Sequence, residues 1–570
     1  MERRLLLVFA LTFLVIVLFQ PILRKYYPQS PPQEQPKLTQ AVPAPAPAAQ
    51  QSNAARVQRP ENPPAAHEAA HRAASESEII VENDLYRVTF TNRGGQVKSW
   101  ILKRFKDEKG GPLELVNKNA ADRYGYPLSL WTYDNNLREQ LNSALYVSSS
   151  SGKLTAPATL TFEYSNQDLT VRKSFHFDHT YVVQVESSAT LKGSPLPALP
   201  AWPAGFGDEI SPAGYAASRV EYQLNGDIKR LAIKSVSGGN TLPGPFNWAG
   251  VVDQYFAAAF IPEDPANTVT VTLRNPIDIP KEPKSNETMK ADVLGAAVGD
   301  PHGPTSERVY VGPKELSTLE ATAVGTIRDA PPDLRGLVNF GFFGVIARPL
   351  FLWLRWTYKY VGNWGWAIVI QTLIINLALL PLRVSSMKSA LKMQKIQPQM
   401  NAIKEKYKKY TMRDPRRQEM NTEIGALMKE QGVSPVGGCF PLLIQMPFLF
   451  AYYAMLGSAL DLRQASWLWI KDLSAADPYL ILPVLIIITG LLTQRLTPQA
   501  GMDPSQQKMM NVMMPVMFGF ISYRLAAGLC LYWVEGSIIA IVQQLIMNRT
   551  SLGREMRELA LKRARKKEKK

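Results

Sequence analysis

The chain has 570 residues, a formal net charge of +16 and two cysteines, Cys439 and Cys530. Such a length exceeds one ordinary domain. The cysteine count excludes a disulfide-stapled scaffold, and the basic balance suits anionic partners such as lipid headgroups, RNA or acidic polypeptides. Mean hydropathy near zero hides two unlike parts. Residues 28–330 are polar, Pro-rich and alternating, whereas 340–547 hold nearly all the long apolar runs.

Met1-Glu2-Arg3-Arg4 precedes an apolar run from Leu5 to Phe19, the layout of a signal peptide without a small-residue cleavage site. Residues 1–25 are therefore expected to stay as a transmembrane signal anchor. Residues 26–77 are dominated by Pro, Ala, Gln and Ser, with Pro43, Pro45 and Pro47 alternating with alanines. They bury too little apolar surface to fold and read as a disordered linker.

From Ile79 the pattern has period two, with further strand-like runs at Ala158–Tyr164, Leu169–Phe177, Tyr181–Leu191 and Thr268–Leu273. They are rich in Val, Thr, Phe and Tyr and bounded by Gly, Asn, Asp and Pro, which predicts a large antiparallel β-sandwich over 78–332. His176 and His179 are three apart and would face opposite sides of a strand, so they do not form a metal pair there. The chain contains no G-x-x-x-x-G-K and no G-x-S-x-G. No metal, cofactor or catalytic site is expected.

Residues 333–362 read as an amphipathic helix in the membrane interface, followed by the tryptophans 353, 356, 364 and 366 of an aromatic belt. Spans then follow at Trp366–Leu382, Val436–Leu456, Tyr479–Leu496, Met509–Tyr523 and Leu525–Met547, six with the anchor. Twelve Lys and Arg lie between Arg383 and Lys429, and ten between Arg549 and Lys570. Only Arg463 and Lys471 lie between Gly457 and Asp477. The positive-inside rule puts the first two segments and both termini in the cytoplasm, and the sandwich outside.

Within 384–432, Met393, Ile396, Met400, Ile403, Tyr407 and Tyr410 are spaced 3-4-3-4-3, and Met420, Ile424 and Leu427 continue the rhythm. Asp414-Pro415 supplies a helix start. This predicts a cytoplasmic hairpin of two helices with a narrow apolar seam, Pro398 starting or kinking the first. Its outer face carries Lys404, Lys406, Lys408, Lys409, Arg413, Arg416 and Arg417. These are either a solvated positive-inside loop or a docking arm for lipid, ribosomal RNA or a targeting factor. The tail, 549–570, is basic and suits the same partners.

Gly432 to Phe448 reads Gly-Val-Ser-Pro-Val-Gly-Gly-Cys-Phe-Pro-Leu-Leu-Ile-Gln-Met-Pro-Phe. It closely resembles the third-span signature of the YidC family of insertases. Asn363-Trp364-Gly365, Leu462-Arg463-Gln464-Ala465, Trp469-Ile470 with Asp472-Leu473-Ser474, Asp477-Pro478-Tyr479, Gln506-Gln507-Lys508 and Leu531-Tyr532-Trp533 are similar too. The resemblance is dense over 333–548 and extends to the anchor and sandwich in layout. It implies a polytopic α-helical bundle, five helices of 363–548 forming a core around a hydrophilic groove open to cytoplasm and lipid. Nascent and newly made membrane proteins would enter along it, alone or with the Sec translocon, and the ribosome is a further implied partner. The implied groove residues are Gln371, Thr372, Asn376, Gln445, Met446, Phe448, Thr489, Tyr532, Trp533 and Glu535. Polar side chains inside spans are costly and face protected, wet surfaces or bond neighbouring helices; both readings fit these residues. Asn376 stands where the family carries a groove arginine, with Arg383 two turns on and expected in the interface, and Glu535 is the only acid well inside a span. A secondary transporter or channel is the alternative; it calls for paired broken helices and internal repeats, and the sequence has no such repeat.

Overall fold

A computed structural model describes residues 71–321 and 333–551 apart from 108–109, 210–211, 282–286, 411–413, 434–439 and 497–508, with a few positions beyond 551. The expected anchor, most of the linker, Cys439 and the basic tail lie outside the described residues.

Strands fill 78–313 in three sheets. The largest has at its centre, in spatial order, Phe256–Pro262, Thr305–Pro313, Val182–Leu191, Leu169–Phe177 and Ala158–Ser165. A second contains Glu78–Glu82, Tyr86–Thr91 and Gln96–Lys106; a third is built on the 12-residue strands Val269–Pro280 and Thr288–Gly299. The alternation read from the sequence is physical. On Leu169–Phe177, Leu169, Val171, Lys173, Phe175 and Phe177 are buried while Thr170, Arg172 and His176 are exposed. Phe90, Phe162, Phe175 and Phe177 meet in the core with ring centroids 4.9–6.1 Å apart. Pairing is antiparallel except between Glu78–Glu82 and Gly152–Thr155, which run parallel.

Three expectations need correction here. The linker does not reach 77, because the His71 and Ala73 amides donate to the Ser165 and Leu145 carbonyls at 3.0 and 3.1 Å. His179 is not on a strand; it follows the end of Leu169–Phe177, and only His176 has an outward strand position. Residues 333–361 are not one helix. Leu334–Leu337 is a separate 3₁₀ turn whose leucines pack into the sandwich core, and the chain passes through Gly341 at φ +63° before a new helix begins.

That helix, α1, is Gly344–Val361 and ends on the left-handed Gly362. Then come α2 (Trp364–Ala378) and α3 (Leu380–Lys406), meeting at a 49° bend. Pro381 sits in the first turn of α3, where its missing N–H costs nothing. Pro398 lies inside α3, which runs on through it rather than starting there. The remaining helices are α4 (Arg416–Glu430), α5 (Phe440–Ser458), α6 (Ile481–Leu496), α7 (Met514–Ser522, preceded by a π-turn) and α8 (Ala527–Arg549). By length and apolarity α8 can cross a bilayer, and the bent α2–α3 pair meets the same measure when its two helices are taken together, while α6 and the segment leading through α7 are shorter apolar helices. Large apolar side chains stand exposed around this bundle, Phe520, Ile546, Val484 and Ile488 among them. Exposure on that scale matches lipid as the surrounding solvent.

The sandwich and the bundle are joined by more than the connecting chain. Leu460, just after α5, is packed in the sandwich core. Gln464 donates to the Lys106 and Asp107 carbonyls at 2.9 and 3.2 Å, and Gln254 to the Gly457 carbonyl at 3.0 Å. Arg463 lies 3.6 Å from the Asp208 carboxylate, and its guanidinium covers the Tyr255 and Phe256 rings at 5.2 and 5.4 Å.

Candidate functional site: a polar track inside the helix bundle

Polar side chains in the bundle core line up where α2, α5 and α8 face each other, whereas buried Thr357, Thr489 and Ser522 return their hydroxyls to nearby backbone carbonyls. At the sandwich end of this line, Gln371 is fully buried. Its amide donates to the Leu350 carbonyl of α1 at 2.9 Å, and its oxygen accepts from the Tyr452 hydroxyl of α5 at 2.5 Å. Tyr452 stacks on Tyr532 of α8, centroids 4.1 Å apart and planes 13° from parallel, and Gln445 hydrogen-bonds Tyr532. The next residue of α2, Thr372, donates its hydroxyl to the Ile368 carbonyl at 2.7 Å and is the hydrogen-bonding neighbour of Glu535 of α8, one of whose oxygens is buried without a partner. Further still, Asn376 donates to the Thr372 carbonyl at 2.9 Å and accepts from Gln543 of α8 at its own carbonyl, 3.3 Å. The track ends at Arg383 in the first turn of α3, whose guanidinium donates to the Gln543 side-chain oxygen.

Helix spacing explains the alignment. Thr372 and Asn376 are four apart and share a face of α2, as do Glu535 and Gln543, eight apart, on α8. Arg383, expected at the interface, is half-buried after the bend that follows Ala378 and donates to Gln543.

The other sequence-selected residues divide. Met446 and Phe448 are half-buried on α5, Phe448 against the bundle core. Trp533 is half-buried against Phe518 of α7, centroids 4.9 Å apart. Thr489 does not join the track; its hydroxyl returns to the Leu485 carbonyl of its own helix at 2.6 Å. Two members were missed in part: Tyr452 was not singled out, and Arg383 was set aside. An aromatic hydroxyl in an apolar run was the available signal for the first, since a buried tyrosine finds an acceptor.

The helices α3 and α4 pack through Ile396, Met400 and Val433, flanked by Met393, Ile424, Leu427 and Met428. Asp414 accepts from the Arg416 amide at 3.0 Å and so starts α4. On the outer face, Lys406 pairs with Glu423 at 3.3 Å, Lys408 with Glu405 at 3.4 Å and Arg416 with Asp414 at 3.2 Å. Arg416 also covers the Tyr410 ring at 4.1 Å, and Arg417 donates to the Tyr410 carbonyl. Lys409 is exposed and Lys404 half-buried. Several of these cations are therefore tied to local partners, in exposed pairs that water and salt screen.

The junction is a separate charged cluster. Burial, then neighbouring Asp253, pushes the Asp208 carboxyl well above the usual range, with Arg463 acting against them. Glu209 is raised by the same two causes. Lys314, fully enclosed, donates to the Asp253 carbonyl at 2.6 Å. Among the described residues no group of three or more His, Cys, Asp or Glu has a metal-binding arrangement.

An apolar-jacketed helical bundle with a polar line through its core, joined to a large β-domain, fits an integral membrane protein. Residues 356–554 match the family described as 60Kd inner membrane protein, and residues 78–353 match the YidC periplasmic domain. The chain is 32% identical over 574 residues to the membrane protein insertase YidC of Geobacter metallireducens, covering 96% of this chain and 99% of that one. It is 30% identical over 575 residues to that of Syntrophus aciditrophicus, covering 96% and 100%. A solved structure of an active YidC insertase with its first transmembrane domain resolved covers 85% of this chain and 95% of its own, at 21% identity and a TM-score of 0.35. The chain belongs to the YidC family of membrane protein insertases.

Proposed function

We infer that this protein inserts newly made membrane proteins into the bacterial inner membrane and helps them fold and assemble there. The observation that carries the mechanism is the polar track from Gln371 to Arg383. A polar tail crossing bare hydrocarbon leaves each unsatisfied group several kcal/mol uphill, roughly, whereas a lined path supplies partners. The apolar segment that follows leaves sideways into lipid, and transfer of about 20 apolar residues is strongly downhill. No nucleotide is needed for a step with that driving force.

In this reading Gln371, Thr372, Asn376, Gln445, Tyr532 and Glu535 line or shape a groove. Met446, Phe448 and Trp533 offer the greasy wall against which a substrate helix slides. Thr489 lies beside it. The fold is a six-span bundle, the first span in 1–25, the fifth the short α7 region. A span that short thins the bilayer or borders water. Charge asymmetry supports cytoplasmic termini, a periplasmic sandwich and a cytoplasmic α3–α4 hairpin. The hairpin, through Lys404, Lys406, Lys408, Lys409, Arg416 and Arg417, and the basic tail are surfaces for the ribosome. The Sec translocon is the partner for substrates with large exported domains. The domain limits follow: anchor 1–25, linker 26–70 with the sandwich from 71 to 332, interfacial segment 333–362, core 363–548 and tail 549–570.

The test is reconstitution of the purified chain into liposomes, followed by insertion of a small single-span reporter without Sec components. Protease protection that depends on this protein is expected. Absence of protection in vesicles holding correctly oriented protein would overturn autonomous insertion.

A further inference from the structure

Glu535 is the only Asp or Glu within α2, α5, α6, α7 and α8. It is bonded to Thr372 through one oxygen and to nothing through the other, although that oxygen is buried. Among the described residues no Lys or Arg lies within ion-pair distance of it. Arg383, at the hairpin end of the same track, meets a neutral side chain, Gln543, rather than a carboxylate. Eight residues separate Glu535 from Gln543 on α8, about 12 Å at 1.5 Å per residue, too far for the two charged groups to neutralise each other. An ionisable group held among helices without a counterion is costly and marks a place where something else supplies the partner. The bundle thus presents two unsatisfied sites of opposite preference, the guanidinium toward the hairpin and the carboxyl group deeper.

We propose that Glu535 is a specificity-determining residue of this insertase: it receives a hydrogen-bond-donating or cationic side chain, lysine or arginine, from the polar tail of the entering protein, and it disfavours acidic tails there. The groove therefore sorts tails by charge. This rests on the insertase reading above.

The test uses full-length protein in liposomes and one single-span reporter whose translocated tail carries two Lys, two Asn or two Asp. Wild type is expected to insert all three. Glu535→Gln should lower the Lys-to-Asp insertion ratio on the order of fivefold, the size of one charge interaction across a half-hydrated 8 Å, each reporter being scaled to the Asn reporter in the same variant. In wild type alone, a zero-length carbodiimide cross-link on the Lys reporter arrested midway should map to Glu535, so the idea stays testable even where the variant misfolds. An unchanged ratio in a Glu535→Gln protein that still inserts the Asn reporter, or a cross-link map without Glu535, overturns the proposal. Failure of wild type to insert the Asn reporter overturns instead the reading beneath it.

Discussion

The sandwich and the bundle both bury polar groups, and they finish the task differently. Lys173, fully buried on Leu169–Phe177, donates to three backbone carbonyls, those of Gly94, Gly95 and Leu128, at 3.0, 2.5 and 2.6 Å. All three ammonium protons are used within the fold. In the bundle, Glu535 keeps an unpartnered oxygen and Arg383 has only a neutral amide. A saturated buried charge fixes structure; an unsaturated one leaves a vacancy for a ligand. The contrast holds between Lys173 and the track of the bundle and not for every acid of the sandwich, since Glu307 there is fully buried with neither carboxylate oxygen partnered.

The sharpest way to break that contrast is Lys173→Met, which strands three carbonyls at no gain in volume. The sandwich should lose about 3–5 kcal/mol, read as a lower melting temperature in detergent. Insertion per correctly folded molecule should be unchanged. If insertion falls while melting does not, Lys173 is not framework.

Arg463→Ala probes the joint between the regions. It removes the one cation beside Asp208 and uncovers Tyr255 and Phe256, for an expected loss of about 2–4 kcal/mol. The expected signature is faster proteolytic separation of sandwich from bundle. Adding Asp208→Asn should restore part of the loss, because the uncompensated carboxyl is then gone; no restoration would show that ring stacking, not the ion pair, holds the joint.

Asp461, in the same joint, gives a pH-dependent test. Burial first, and Glu315 next, raise its carboxyl from the ordinary 3.8 to about 6. Between about pH 4 and 6 the folded protein holds a proton that the unfolded chain has released. The contribution of this group is therefore most favourable at low pH and is lost as pH rises to 6. Asp461→Asn should stabilise the protein at pH 7.5 by up to about 3 kcal/mol, with the gain disappearing below about pH 4. A gain independent of pH would point to packing rather than proton linkage.

Much of this was legible in the sequence because each feature has a short-range cause. Period-two runs gave the strands at 158–165 and 169–177, since inward and outward positions alternate by geometry. The 3-4 rhythm of Met393, Ile396, Met400, Ile424 and Leu427 gave the seam between α3 and α4. The track members Gln371, Thr372, Asn376 and Glu535 stood out as polar residues in apolar runs. What escaped depends on tertiary placement. Leu334 and Leu337 carry helical spacing, yet the sandwich core claims them and Gly341 breaks the chain. Arg383 reads as interfacial from its position in sequence; only the bend between α2 and α3 brings it to Gln543. Lys173 occupies an apolar strand position, and no local pattern announces the three carbonyls that accept from it.

The smallest effects lie among the polar residues of the spans, and they decide whether such residues form one class. Gln371 is satisfied on both sides, by Leu350 and Tyr452, and Thr489 by its own helix. By the contrast drawn above, both belong with the framework despite sitting in the bundle. Gln371→Leu should cost about 1 kcal/mol, the usual size of a hydrogen bond between membrane helices, and lower reporter insertion less than Asn376→Leu does. Thr489→Val should change stability by less than about 0.5 kcal/mol, because a hydroxyl returned to its own helix links nothing. Asn376→Leu, which removes a side chain between the two unsaturated sites, should instead reduce insertion while shifting melting no more than Gln371→Leu does. Equal loss of insertion in the Gln371 and Asn376 variants would mean that the track works as one hydrated surface, and that satisfaction of hydrogen bonds does not distinguish its structural members from those that meet the substrate.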